Sequence, residues 1–278
     1  VLLAPVEPAM DRRRHLASLL AATGGAFGIG TRAAASNDPS AGPCPAVAQT
    51  TRVALLEVYS SEGCSSCPPA DRWLARIAAR EPQRVAALAL HVKYWDYIGW
   101  TDPYAQTAFA ERQRWLVAAN GARTLYTPGV FVGGREWRHW HDEAALARRL
   151  DAWSRAPAPV RIDLSARGGT VLATASRQDS SAPFERPALF VALTESGLAS
   201  KVTAGENRGE TLRHDHVVRS LAGPQPFDAA GRATLSVQVP EPGATGRRLA
   251  AVAFVQDLKT AESLQAASLR LDAACLRG

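Results

Sequence analysis

VALLEVYSSEGCSSCPP, residues 53–69, decides how this chain is read. Its first nine residues are apolar at most positions, as expected of a strand buried in a parallel or mixed sheet. Two cysteines then follow a short polar turn, with two serines between them and two prolines behind. Proline suits a first helical turn, where its missing N–H costs nothing. Beyond it, Ala70, Trp73, Leu74, Ile77 and Ala78 recur at spacings of three and four and form one apolar helix face. The pair Cys64–Cys67 therefore stands at the mouth of a strand-to-helix turn. Unpaired N–H groups and the helix dipole favour negative charge there, lowering a thiol below its free pKa of about 8.5. Cys64 is expected to be the exposed attacking thiolate and Cys67, one turn in, the buried resolving thiol. Exchange passes through a mixed disulfide. Ser65 and Ser66 supply hydroxyls that can support the thiolate.

Working outward, RVAALALHV (84–92) predicts a second buried strand, and Lys93 to Asp102 an aromatic-rich loop. A helix follows from Pro103 to about Ala119, with Phe109, Arg112 and Leu116 repeating along it. GVFVGGREW (129–137) predicts a hairpin turning at Gly133–Gly134, and residues 141–153 a helix capped by His141–Asp142. Strand, helix, strand, helix, hairpin, helix, with a Cys-x-x-Cys at the first junction, is the thioredoxin arrangement. Thr127–Pro128 stands just before the hairpin, where that fold places a cis-proline facing the cysteines. The expected catalytic set is Cys64, Cys67 and Pro128, with Thr127, Ser65, Ser66 and Glu57 as candidate supporting residues. Glu57 is either a buried proton relay for Cys67 or, the favoured reading, a residue at a sheet edge or end. Glu62, two residues before Cys64, either opposes thiolate formation or, the favoured reading, is a solvated loop charge. Tyr94, Trp95, Tyr97 and Trp100 wall a groove beside the cysteines or pack against the second half of the chain.

Residues 160–278 change character. VRIDLSARGGTVLATAS, ALFVALTESG, HDHVVRSL, ATLSVQV and RLAAVAFVQD read as strands joined by Gly- and Pro-bearing turns, which predicts a β-sandwich-like domain. The proline-bearing stretch 154–160 is taken as the boundary, with the first domain at 51–153. His214 and His216 at i, i+2 would share one strand face and begin a metal site, but no third ligand stands near them in sequence. Their other reading is structural. Glu206 and Asn207 read as turn residues. His91, at a strand end, is more readily satisfied locally than used as a ligand, so no metal site and no cofactor is assigned.

Met10 to Arg14 is basic, LASLLAATGGAFGIG is small and apolar, and Ala33–Ala35 suits cleavage. Residues 1–35 thus read as a secretory signal peptide rather than a basic amphipathic helix, and 36–50 as a flexible segment. Export makes disulfides stable. With Cys64 and Cys67 taken together, Cys44 and Cys275 remain. In an exported protein they are expected to form a structural disulfide, worth about 4–5 kcal/mol by loop entropy alone, the alternative being two unrelated free thiols. The formal charge of +6 is scattered rather than clustered, which argues against nucleic acid as a partner. No later stretch is apolar enough to span a membrane.

The blocks VALLEVYSSEGCSSCPPADRWLARIA, ALALHVKYWDYIGWTDPYAQTAFAERQRWLVAANG and LYTPGVFVGGREW resemble the bacterial DUF1223 family. GENRGETLRHDHVVR and VAFVQDLKTAESLQAA resemble its C-terminal part. The resemblance implies an α/β thioredoxin-like domain followed by an all-β domain, usually secreted, with the family's cysteine pair at Cys64 and Cys67 and its proline at Pro128. Val58-Tyr59-Ser60 departs conservatively from the family's phenylalanine-threonine. The expectation is a periplasmic or secreted thiol–disulfide oxidoreductase acting on protein or small thiols, or on a redox partner protein. The alternative is a Cu(I)-handling or partner-binding module without redox turnover.

Overall fold

The computed structural model describes residues 44–48, 51–179, 184–240 and 248–276, which fall within one compact unit. The signal-peptide reading of residues 1–35 lies outside them. The buried run becomes β2 (Ala54–Ser60), after a short β1 (Cys44–Ala48). The helix behind the cysteines is α1 (Cys67–Arg80), followed by β3 (Val85–His91), a 3-10 turn at Lys93–Ile98 and α2 (Thr107–Ala119). A hairpin of β4 (Gly129–Val132) and β5 (Arg135–Glu136) leads to α3 (Glu143–Arg155), whose first turn is capped by Asp142 accepting from the Ala145 amide (2.8 Å). α2 starts later than predicted, because Asp102 to Ala105 first make a turn closed by the Ala105 amide on the Asp102 carbonyl (3.1 Å).

The rest is almost all strand: β6 (Val160–Arg167), β7 (Thr170–Arg177), β8 (Pro187–Ser196), β9 (Leu198–Lys201), β10 (Thr211–His214), β11 (Val217–Pro226), β12 (Arg232–Gln238), β13 (Arg248–Asp257) and β14 (Ser263–Leu271), then a short α4 (Ala273–Leu276). Here the structure corrects the expected fold class. The chain is not an α/β thioredoxin-like domain followed by a sandwich-like domain. Strands dominate, and those of both halves join one mixed sheet of eight, in the order β14-β13-β8-β11-β3-β2-β4-β5. The seam is the parallel contact of β11 with β3, where the Ala89 amide donates to the His216 carbonyl (2.9 Å). A second sheet, β1-β6-β7-β12, lies against the C-terminal end of the first. Residues 44–48, expected to be flexible, pair antiparallel with β6.

Alternation sorts the side chains into three cores. Leu56, Val58, Ala87 and Val130 face α1 and α3, together with Trp73, Leu74, Leu146 and Leu150. Leu55, Tyr59 and Leu88 face α2, and that core runs on without a break into Phe190, Val252 and Phe254 of the second half. Leu189, Val191 and Leu193, on the other face of β8, pack against the smaller sheet. β8 is thus buried on both faces, a position its unbroken apolar run suits.

The β4–β5 turn fastens the halves together. Gly133 and Gly134 both take positive φ (61° and 81°). A Cβ on Gly134 would lie 1.7 Å from the carbonyl oxygen of Ala261. Gly134→Ala is expected to destabilise the protein by at least about 2 kcal/mol, from left-handed strain plus overpacking. A lowered urea midpoint at unchanged slope checks this.

Candidate functional site

β2 ends at Ser60 and the chain turns through Glu62 and Gly63 to the cysteine pair. Cys64 and Cys67 are joined by a disulfide, with Cα atoms 5.5 Å apart. The Cys67 amide donates to the Cys64 carbonyl (3.2 Å), and α1 begins at Cys67 with Pro68 and Pro69 in its first turn. Ser66 Oγ lies 3.3 Å from Cys64 Sγ. Thr127–Pro128 is a cis peptide bond. Pro128 lines a groove of about 610 Å³ with Ser66, Pro69, Tyr126, Trp137 and Trp140, so the structure brings the loop before β4 to the cysteine turn. The Thr127 hydroxyl is buried and has no hydrogen-bond partner among the described residues.

Several expected placements change. Cys64 is not exposed: it is buried almost as fully as Cys67. Its cover comes from far along the chain, the turn between β9 and β10. Asn207 Nδ2 donates to the carbonyls of Glu62 (2.8 Å) and Cys64 (3.0 Å). The amide and hydroxyl of Ser65 both donate to Glu206 (2.9 and 2.8 Å), so Ser65 serves this cover rather than the sulfur. Those two bonds hold the Glu206 carboxyl below its ordinary range. Glu57 cannot relay protons to Cys67. Leu55, Glu57 and Tyr59 point to the α2 face of the sheet, whereas α1 packs on the other. Glu57 instead accepts from Arg112 Nε (2.7 Å) and Tyr59 (3.2 Å). Burial, and next the Glu57 charge, push the Tyr59 hydroxyl well above its usual pKa.

Glu62 is not a solvated loop charge either. It is fully buried and accepts from Trp100 Nε1 (2.8 Å) and His214 Nε2 (2.9 Å). Trp100 and Ile98 pack near Gly205 of the covering turn, while Tyr94 bonds Gln113 and Tyr97 is exposed. The groove at Pro128 is walled by Tyr126, Trp137 and Trp140, not by the 94–100 aromatics. His214 and His216 do not share a face, because β10 ends at His214 and His216 takes φ 58°. His214 turns in toward Glu62. His216 lines a separate cavity with Ala75 and Arg248.

Sequence reasoning missed the group behind the turn. His91 Nδ1 donates to Asp102 Oδ2 (2.7 Å), and Asp102 also accepts the amides of Glu62 (2.8 Å) and Tyr104 (2.9 Å). Burial works against both charges, but the His91–Asp102 hydrogen bond and charge attraction outweigh it. The imidazole is held above its ordinary pKa and the carboxyl below. Asp71, four residues after Cys67 on α1, accepts from the Ser60 hydroxyl (3.0 Å). Burial raises its carboxyl above the usual range against the nearby imidazoles. A cluster of acids flanking a buried cysteine turn was the available signal, but nothing local joins Glu62, Asp71 and Asp102 to a histidine at 214.

Cys44 and Cys275 are paired in a second disulfide, Cα atoms 5.1 Å apart. Among the described residues no helix is long and apolar enough to cross a membrane.

A β-rich chain with a paired Cys-x-x-Cys at a helix start, covered by a turn from its own C-terminal half, defines the class. The chain belongs to the family described as protein of unknown function (DUF1223), whose model matches residues 55–256. No curated protein matches. Among solved structures, a protein of Agrobacterium tumefaciens is similar at 24% identity, covering 80% of this chain and 95% of that one, with a TM-score of 0.62. HBP35 of Porphyromonas gingivalis is similar at 16% identity over 81% of this chain and 77% of its own, with a TM-score of 0.61. Both likenesses bear on the fold.

Proposed function

We propose that the protein is a thiol–disulfide oxidoreductase of the cell envelope or exterior, working through Cys64 and Cys67 on protein or small thiols. The observation that carries the reading is the paired cysteines at the start of α1, beside a groove that includes Ser66 and Pro128. In the disulfide form, a substrate thiolate attacks Cys64 Sγ. The Cys64–Cys67 bond breaks and Cys67 leaves as the thiolate. A second substrate thiol, once deprotonated, attacks the mixed disulfide and releases Cys64. Two electrons pass from the substrate dithiol to the pair, which ends as two thiols, and the substrate ends as a disulfide. The reverse sequence reduces a substrate disulfide. An extracytoplasmic setting is supported by the second disulfide at Cys44–Cys275 and by the leader-like residues 10–35.

Equilibration with glutathione buffers tests the proposal. A single two-electron transition of the Cys64–Cys67 pair, together with catalysed oxidation or reduction of a model peptide, supports it. A pair that equilibrates but never turns over a peptide, or that resists glutathione throughout, overturns it.

The cover makes a second, separable expectation. Asn207→Ala removes two hydrogen bonds to the cysteine turn, each netting about 1 kcal/mol. Reduction of the pair by dithiothreitol should then be up to about 30-fold faster, since every 1.4 kcal/mol is one decade. An unchanged rate would mean that reagents reach Cys64 without displacing the turn.

A further inference from the structure

Behind the cysteine turn, three side chains from distant parts of the sequence meet: Asp71 on α1, His91 at the end of β3 and His214 at the end of β10. One ligand atom from each lies within 4.8 Å of the others. The side chains are 9%, 0% and 3% exposed. Each carries a buried polar atom with no hydrogen-bond partner among the described residues: Asp71 Oδ1, His91 Nε2 and His214 Nδ1. His214 Nδ1 and Asp71 Oδ2 are 3.8 Å apart, too far for a hydrogen bond.

The other ends of these side chains are fastened. Nδ1 of His91 is held by Asp102, Nε2 of His214 by Glu62, and Oδ2 of Asp71 by the Ser60 hydroxyl. Glu62 and Asp102 are themselves anchored, by Trp100 and by backbone amides. Each imidazole has its far nitrogen on a carboxylate, which leaves the other nitrogen, without a partner among the described residues, free to bind in the shared space. Imidazoles oriented by carboxylates in this way are how proteins fix metal-binding histidines. Charge points the same way. Among the described residues, the ion-pair partners of Glu62, Asp71 and Asp102 are these two imidazoles. A bound divalent cation would place positive charge among these three buried carboxylates without requiring either imidazole to carry a proton.

From this geometry we infer a binding site for a divalent transition metal, of the zinc type, with Asp71, His91 and His214 as its protein ligands. Two nitrogens and one oxygen suit Zn²⁺ at about 2.0–2.1 Å. Around such an ion, ligand atoms sit about 3.3 Å apart, so binding draws the three inward by a small movement. Three protein ligands leave a fourth position for water or another donor. This replaces the reading in which His214 begins a site with His216, and it does not rest on redox activity of the cysteines.

The test uses the full chain with both disulfides intact, stripped with a chelator and titrated with Co²⁺ and then Zn²⁺. The expected result is one Co²⁺ per chain with visible d–d bands and no thiolate charge-transfer absorption, displaced by one Zn²⁺. The same uptake should persist in a Cys64→Ser/Cys67→Ser double variant. His214→Gln should show no uptake at concentrations that saturate the wild type, and Glu62→Gln should bind about 10–100-fold more weakly. If His214→Gln does not fold, the wild type, the double serine variant and Glu62→Gln still decide the matter. No Co²⁺ uptake by the wild type overturns the inference and leaves a hydrated polar cluster. Uptake lost in the double serine variant, or unmoved by His214→Gln and Glu62→Gln, overturns it and moves the metal elsewhere.

Discussion

On the proposed function, Cys64→Ser is expected to abolish thiol–disulfide exchange, while Cys67→Ser leaves a protein that reacts once and stops. The asymmetry follows from position. Cys64 precedes the helix, with its sulfur beside the Ser66 hydroxyl, and Ser66 lines the Pro128 groove. Cys67 is the first residue of α1 and fully buried. Both sulfurs are buried, but Ser66, a groove residue, lies against Cys64, so a partner that displaces the covering turn meets Cys64 first. Without Cys67, the mixed disulfide on Cys64 has no internal thiol to resolve it and accumulates. Incubation with a reduced or oxidised peptide, acid quenching and intact-mass measurement read the outcome. The adduct should appear on Cys67→Ser and be missing from Cys64→Ser. An adduct on Cys67 in the Cys64→Ser variant would reverse the assigned roles.

The second large effect concerns stability. Arg112 is buried, its Nε donating to Glu57 (2.7 Å) and its Nη2 to Gln256 Oε1 of β13 (2.8 Å). Its guanidinium also lies 5.1 Å from the centre of the Phe254 ring. Arg112→Ala strands the Glu57 carboxylate in a low-dielectric core, and breaking a buried pair on one side typically costs about 3–5 kcal/mol. For a chain of this size that is a fall in Tm of roughly 10 °C. Replacing both partners, as Glu57→Leu with Arg112→Met, should restore most of the loss, because no unpaired charge remains. Thermal denaturation of the two variants separates charge burial from lost packing. If the double variant is no better than Arg112→Ala, packing dominates.

Elements whose signal is local were legible. The apolar runs at 53–61 and 84–92 became β2 and β3, and the Gly133–Gly134 hairpin and the helix behind the cysteines formed close to their predicted bounds. What failed was pairing across distance. β3 joins β11 through Ala89 and Val217, and no periodicity encodes such a contact. The expected boundary between two folds followed from a change of composition near residue 157, yet the shared sheet crosses it. Site residues failed for the same reason. Glu62 reads as a loop charge because its partners, Trp100 and His214, lie 38 and 152 residues away. Cys64 reads as exposed because its cover arrives with Asn207. Glu57, by contrast, was misplaced on a local fact: counting by twos from Leu55 already puts it opposite α1.

The disulfide between Cys44 and Cys275 spans 231 positions and turns nearly all the described chain into a covalent ring. A protease that cuts one exposed turn, such as Asp228 to Gly231, opens the ring without producing separate pieces. The nicked molecule migrates as one band until a reductant is added and then falls into two. In an environment rich in proteases, a single backbone cut therefore leaves both halves of the shared sheet, and the turn over the cysteine pair, bound to one another.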